Sequence, residues 1–284
     1  MEVLTKINNP KEARLKLSAL KDNFREMISV IIAYSGGVDS AFMATVANDV
    51  LGVKALAITA KSPSLAKSEL RNAVLLGEKL GFNHRVIETK EVQRRDYRAN
   101  TSNRCFYCKD ELYDCLVNIA RNENLLWVAN GTNSDDLKDF RPGLNAAKKY
   151  SVRSPLVEVG LSKSEIRLLS KEMGLSVWDK PAQACLSSRV PYGTTVTVEA
   201  LESISAAEEY LSNLGINQIR VRHHGNVARI EIEPKDFHIL VDGDVRNNVI
   251  KFFKSIGYIY ITLDLEGFRS GSLNEVMVDL NGDD

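Results

Sequence analysis

Apolar and polar positions along this chain change period several times, and the changes outline its elements. Leu15, Leu17, Leu20, Phe24 and Met27 recur at loose helical spacing and predict an opening helix over residues 12–27. Short apolar runs at 29–34, 54–60, 84–88, 126–130 and 155–159 predict strands. Helical patterns near 38–50, 65–80, 104–121 and 163–173 fall between or after them, the last opened by Ser162 and Glu165 in capping-box spacing. Apolar strands separated by helices predict an α/β fold: a parallel sheet covered on both faces, with ligands at the carboxyl ends of its strands. After residue 190 the texture changes. A helix over about 198–213, two alternating strands around Gly225-Asn226, a helix over about 235–255 and a strand over 258–265 predict a smaller αββαβ unit. We expect two domains, 1–185 and 186–284.

Composition narrows the function classes. The 37 basic and 37 acidic residues balance, so a general polyanion-binding surface is not indicated and nucleic acid is not the expected partner. No window has the unbroken apolar length of a membrane helix, and the N-terminal segment is charged where a signal peptide needs an apolar core. The expectation is a cytoplasmic protein. Four cysteines are too few for a disulfide scaffold and point to metal binding, catalysis or burial.

The first chemical signal is SGGVDS at 35–40, where a buried strand breaks and a helix begins. Ser35, Gly36 and Gly37 permit a tight turn with exposed main-chain N–H groups, and the helix start adds its positive end, so the break reads as a phosphate site. The hydroxyls of Ser35 and Ser40 are candidate donors to phosphate oxygens, and Asp39 is a candidate magnesium ligand. The lysine-bearing nucleotide loop G-x-x-x-x-G-K-[ST] and the dinucleotide fingerprint G-x-G-x-x-G are both missing. Two further strand ends fit the same ligand: Thr59 with its neighbours to Ser62, and the polar turn from Gly131 to Asp136.

The second signal is the cysteines. Cys105 and Cys108 are three apart at a predicted helix start, so both thiols share one face and can share a metal. Cys115 is seven residues further on, roughly 10 Å along the axis, and reads as a small core residue. Cys185 stands in PAQACLSSRVPYG, a proline-bounded segment in which Arg189 favours the reactive thiolate. From the residues alone, iron-sulfur, zinc and no metal remain open for the set Cys105, Cys108 and Cys185.

SGGVDS resembles the PP-loop of the ATP pyrophosphatases, which cut ATP between its α and β phosphates. Together with RCFYCK at 104–109 and PAQACLSSRVPYG at 181–193, it resembles the LarE sulfur-insertion enzymes of nickel-pincer nucleotide biosynthesis. The likeness runs along most of the chain, including Ile219 to Arg222 and GFRSGSLNE at 267–275. It implies a PP-loop domain with Ser35, Gly36, Gly37, Asp39, Ser40, Thr59 and Gly131 around ATP and Mg2+. The implied chemistry is adenylation of a pyridinium dicarboxylate mononucleotide, followed by attack of a protein-bound sulfur that yields a thiocarboxylate and AMP. In some members the equivalent of Cys185 gives up its own sulfur; three-cysteine members carry the sulfur on a four-iron four-sulfur cluster, and RCFYCK aligns this chain with them. Arg220 and Arg222, two apart on a strand, are candidate clamps for the substrate phosphate, and Arg189 for the reacting end. The implied partners are the nucleotide substrate and a sulfide source, in a homo-oligomer. A tRNA-thiolating enzyme is the alternative reading.

Overall fold

The computed structural model describes residues 9–138, 142–181 and 183–269. In chain order the elements are α1 (Pro10–Met27), β1 (Val30–Ala33), α2 (Val38–Leu51), β2 (Ala55–Lys61), α3 (Lys67–Leu80), β3 (Asn83–Glu88), α4 (Arg95–Arg98), α5 (Arg104–Asn122), β4 (Trp127–Asn130), α6 (Gly143–Lys149), α7 (Pro155–Glu158), α8 (Lys163–Glu172), α9 (Val198–Asn213), β5 (Ile219–His224), β6 (Val227–Ile232), α10 (Phe237–Val241), α11 (Gly243–Ser255) and β7 (Tyr260–Leu263). No described helix is long and apolar enough to cross a membrane.

The chain forms two compact units. One takes residues 9–62, 67–91 and 103–183; the other takes 63–66, 92–102 and 184–269. Two short excursions from the first half of the chain thus pack with the C-terminal part.

The first unit is built on a parallel sheet of order β3-β2-β1-β4. Strand alternation sends Val30, Ile32, Ala55, Ala57 and Ala129 to one face, against the buried sides of α1, α2, α3 and α8. Ile31, Leu56, Ile58 and Val128 go to the other, against Tyr113 and Leu116 of α5 and Ala146 of α6. Both faces are covered, as the near-continuous apolar strands require.

Residues 155–159 form no fifth strand. Pro155 opens the one-turn helix α7 at its first position, where a missing N–H costs nothing, and Glu158 accepts from Ser154 N at 3.2 Å. Apart from its pairing with β1, β4 makes one isolated bridge among the described residues, between Ala129 and Arg153. Three apolar residues without a period cannot separate a strand from a turn of helix.

The second unit has the order β5-β6-β7, the first pair antiparallel and the second parallel, with α9 and α11 on one face. The helix expected over 235–255 is two helices, because Asp242 leaves the helical path and its carboxylate caps α11 at Val245 N, 3.3 Å away. Of the GFRSGSLNE segment, residues 270–275 lie outside the described residues.

Candidate active site

In the first unit the site begins where β1 runs out. Gly36 lies at φ +72°, and a Cβ there would stand 2.9 Å from the Cβ of Ala73 on α3. Only glycine meets both conditions. Gly37 caps α2, and a Cβ there would meet only Ser35 Oγ, at 3.5 Å. The protein's own packing therefore does not demand glycine at 37, whereas an anion approaching the amides at the start of α2 does. Ser40 closes the loop from inside: its Oγ accepts from Ser35 N at 3.2 Å, donates to Gly37 O at 3.1 Å and lies 3.1 Å from Ser35 Oγ. At the end of β4, a Cβ on Gly131 would sit 3.1 Å from Ser40 N, so this strand end closes against the first turn of α2.

Asp39, in that first turn, pairs with Lys163 Nζ and accepts from Asn133 Nδ2 at 3.4 Å. Asn133 is buried and folds the 131–136 turn around its own amide, its Oδ1 accepting from Asp135 N at 3.0 Å and Asp136 N at 3.3 Å. Asp135 in turn accepts from Lys163 N at 2.9 Å. A carboxylate, an ammonium and a helix start thus meet at the loop. Asp39 is a carboxylate of the kind that could hold a magnesium ion, and Lys163 an ammonium of the kind that could face a phosphate.

Thr59 is buried at the end of β2. Its hydroxyl donates to Tyr34 O at 2.9 Å and lies 2.9 Å from His84 Nε2. With the hydroxyl proton committed to Tyr34, Nε2 must be the donor of the second bond, which fixes the imidazole tautomer. Burial lowers the pKa of His84, keeping it neutral, and raises that of the Tyr34 phenol.

Sequence reasoning missed Lys163 and His84, and took Asn133 only as part of the polar turn from Gly131 to Asp136. Lys163 had a signal: a lysine at the first position of a helix faces the positive end of the dipole, a misfit that makes sense where an anion is bound.

None of the four cysteines is in a disulfide. Cys105 and Cys108 lie in the first two turns of α5, Cys105 exposed and Cys108 partly so. Cys115 is partly buried, and burial together with Glu111, Asp114 and Glu91 pushes its thiol pKa up. Among the described residues, no three of His, Cys, Asp and Glu gather as a metal-holding group.

In the second unit, Cys185 is exposed and caps a one-turn helix, Leu186–Arg189. Arg189, 2% exposed, spends its guanidinium on this loop: Nε and Nη2 each donate to Glu208 at 2.9 Å, while Nη1 reaches the carbonyls of Ala184 at 2.8 Å and Cys185 at 3.1 Å. Arg220 and Arg222 do share a face of β5, and both are buried. Arg222 makes a bidentate pair with Glu231, at 3.0 and 2.8 Å, and donates to Ser188 O at 2.8 Å. Arg229 reaches the same Glu231 at 3.0 Å.

Arg220 differs. Its hydrogen bond goes to Ile219 O at 2.6 Å and its guanidinium lies 5.1 Å over the ring of Phe268, with no carboxylate bonded to it among the described residues. Burial, together with the charges of Arg189 and Arg222, pulls its pKa down to about 10. Glu208 and Glu231, the latter its cross-strand neighbour, pull the other way, so acidic groups act on this guanidinium although none bonds to it among the described residues.

The comparisons with known proteins agree with this geometry. The NAD synthase family matches residues 15–120. An uncharacterized protein of Synechocystis sp., slr1717, is 48% identical over 92% of this chain and 98% of its own length. The tRNA-specific 2-thiouridylase MnmA of Rickettsia rickettsii is 27% identical over 54% of this chain and 52% of its own. The pyridinium-3,5-bisthiocarboxylic acid mononucleotide synthase of Lactiplantibacillus plantarum is 38% identical over 92% of this chain and 93% of its own. A phosphate loop of this form, joined to a likeness that runs nearly end to end, places the chain in the LarE family of ATP-dependent sulfurtransferases.

Proposed function

We propose that this enzyme inserts sulfur into a pyridinium dicarboxylate mononucleotide for the nickel-pincer cofactor. The observation that carries the reading is that the second unit holds both an exposed thiol, Cys185, and a buried guanidinium, Arg220, to which no carboxylate is bonded among the described residues. One is a sulfur site and the other a phosphate site, and the substrate needs both. The printed activity of the Lactiplantibacillus relative supports it.

In this reading a carboxylate oxygen of the substrate attacks the α-phosphorus of ATP and pyrophosphate leaves. The amides at Gly36 and Gly37, the start of α2 and Lys163 stabilise charge on the departing group, and Asp39 holds the magnesium. Sulfur then attacks the activated acyl carbon, AMP departs, and a thiocarboxylate remains. Arg220, with Arg222 beside it, holds the substrate phosphate. Arg189 keeps the backbone at Cys185 in place through its bonds to the carbonyls of Ala184 and Cys185.

Cys105, Cys108 and Cys185 are the proposed cluster ligands, because thiolates are the soft donors that iron-sulfur clusters take. When bound, a cluster held by three thiolates would supply an open iron for exogenous sulfide. If Cys185 gave its own sulfur instead, cleavage of its Cβ–S bond would leave dehydroalanine. The proposed partners are the nucleotide and a sulfide source, in a cytoplasmic homo-oligomer.

The test is anaerobic purification followed by iron and acid-labile sulfide analysis of wild type and of Cys105→Ala, Cys108→Ala and Cys185→Ala. Turnover with ATP, Mg2+ and pyridinium-3,5-dicarboxylate mononucleotide is followed in parallel. Iron and sulfide lost in each variant support the cluster. Iron-free protein that loses sulfur mass at Cys185 on turnover supports the sacrificial route. Pyrophosphate release that ignores the carboxylate substrate overturns the function.

A further inference from the structure

The turn that presents Cys185 is gripped by two segments far from it in sequence. Leu186 N donates to Ser64 O at 2.9 Å, from the short excursion at 63–66. The stronger grip comes from 92–102. Tyr97 is 1% exposed, and its hydroxyl shares a 2.5 Å hydrogen bond with Ser187 Oγ, two residues beyond Cys185. Asn100 is fully buried, and its side-chain amide faces three carbonyls: Pro191 at 2.7 Å, Thr194 at 3.0 Å and Val190 at 3.2 Å. Main-chain bonds reinforce it, with Gly193 N donating to Asn100 O at 3.1 Å and Val196 N to Arg98 O at 2.9 Å.

Asn100 holds this place in a left-handed conformation, φ +52°. Glycine would adopt that backbone more easily but has no donors, and alanine would strain and donate nothing. Asparagine tolerates the conformation and brings two N–H groups to three carbonyls. The hydroxyl and the amide are both buried, and both bond into one segment, 187–194. The backbone that follows the exposed thiol is thus held from elsewhere in the chain.

We propose that Tyr97 and Asn100 are positioning residues for Cys185, fixing the backbone from Ser187 to Thr194 so that the thiol is presented in one orientation. The proposal rests on the reading of Cys185 as the sulfur-bearing or sulfur-ligating group. Without the two anchors, adenylation in the first unit proceeds but transfer lags. Water then attacks the waiting acyl adenylate, returning carboxylate and AMP, so ATP is consumed without thiocarboxylate.

Tyr97→Phe, Asn100→Ala and Asn100→Gly test it through two readouts. The first is the rate at which iodoacetamide alkylates each cysteine in the protein as isolated, resolved by peptide mass spectrometry. A lost buried hydrogen bond predicts a change of roughly three- to tenfold at Cys185, with Cys115, which is not among the proposed cluster ligands, at its wild-type rate as the control in the same molecule. The second is thiocarboxylate formed per pyrophosphate released, expected to fall about tenfold with the KM for ATP unchanged. Asn100→Gly, which relaxes the backbone without restoring the amide, is expected to fail as Asn100→Ala does. Tyr97→Phe removes a single oxygen and keeps the test available if both Asn100 variants fold poorly.

Wild-type alkylation at Cys185 in Tyr97→Phe and in any folded Asn100 variant overturns the proposal. So does an equal change at all the cysteines, which reports general loosening, or full recovery in Asn100→Gly. A Cys185-specific change in a protein whose wild type makes no thiocarboxylate upholds the positioning and overturns the proposed function instead.

Discussion

The two units place positive charge in opposite ways. The first uses backbone: glycines at 36 and 37, a helix start, an internal Ser40 hydroxyl, and one ion pair, Asp39 with Lys163, at the edge. The second buries formal charges, with Arg189, Arg220 and Arg222 against Glu208 and Glu231. Backbone N–H groups carry no formal charge, so the first site needs no counter-ion of its own. Buried guanidinium groups do need one, and Glu208 and Glu231 supply it: Arg189 and Arg222 bond to them directly, while Arg220 feels both without a direct bond among the described residues. In the proposed function Arg220 is the guanidinium left to bond an anionic substrate group directly.

The sharpest break in the comparison is chemical. Cys185→Ala, in the second unit, is expected to abolish thiocarboxylate formation while pyrophosphate release by the first continues, measured with the dicarboxylate nucleotide. Next in size is Glu231→Gln. Glu231 has no exposed side-chain surface and serves both Arg222 and Arg229. Its loss leaves buried cations uncompensated and is expected to destabilise the protein by about 3–5 kcal/mol, read from chemical denaturation. Lys163→Met should lower pyrophosphate release by about a hundredfold, because a charge aimed at the departing phosphates is removed, and should leave the melting temperature within a few degrees.

Gly36→Ala places a methyl against Ala73 at a left-handed φ and is expected to destabilise by about 2 kcal/mol. Adding Ala73→Gly should recover the contact part and leave the backbone part. If the double variant recovers nothing, the close approach is not what selects glycine there.

The smallest effect is on pH. Burial lowers the pKa of His84 in one unit, and burial is also the main cause of the lowered values of His223 and His224 in the other. A base with a lowered folded pKa is neutral in the folded state while the unfolded chain takes up a proton below about 6.5, so the unfolded state binds more protons and stability falls as pH drops from 7 to 5. His84→Gln keeps a donor for Thr59 without the titration and should flatten part of that slope, by about 1 kcal/mol or less. An unchanged slope would mean that the acid sensitivity lies in the second unit.

Much of the first unit was legible along the chain because its chemistry is local. SGGVDS carries its loop, its helix start and its acid within six consecutive residues, and the capping box at Ser162 and Glu165 forms as its spacing predicts, Ser162 N donating to Glu165 at 2.8 Å. Local rules failed at 155–159, where a short apolar run could serve either state and Pro155 chose a helical turn. They failed again at Asp242, where a side chain that caps its own backbone divided a continuous helical pattern.

The amino-acid sequence by itself determined the parallel-sheet class, the position of the phosphate loop and the shared face of Arg220 and Arg222, since each follows from the period of a strand or helix or from adjacent residues. The tertiary structure alone decided which arginine bonds to no carboxylate among the described residues, that Lys163 meets Asp39 from 124 positions away, and that residues 97 and 100 hold the loop of Cys185. Charges and hydrogen bonds act over a few ångströms in space, and no periodicity along a chain records which distant residues a fold brings that close.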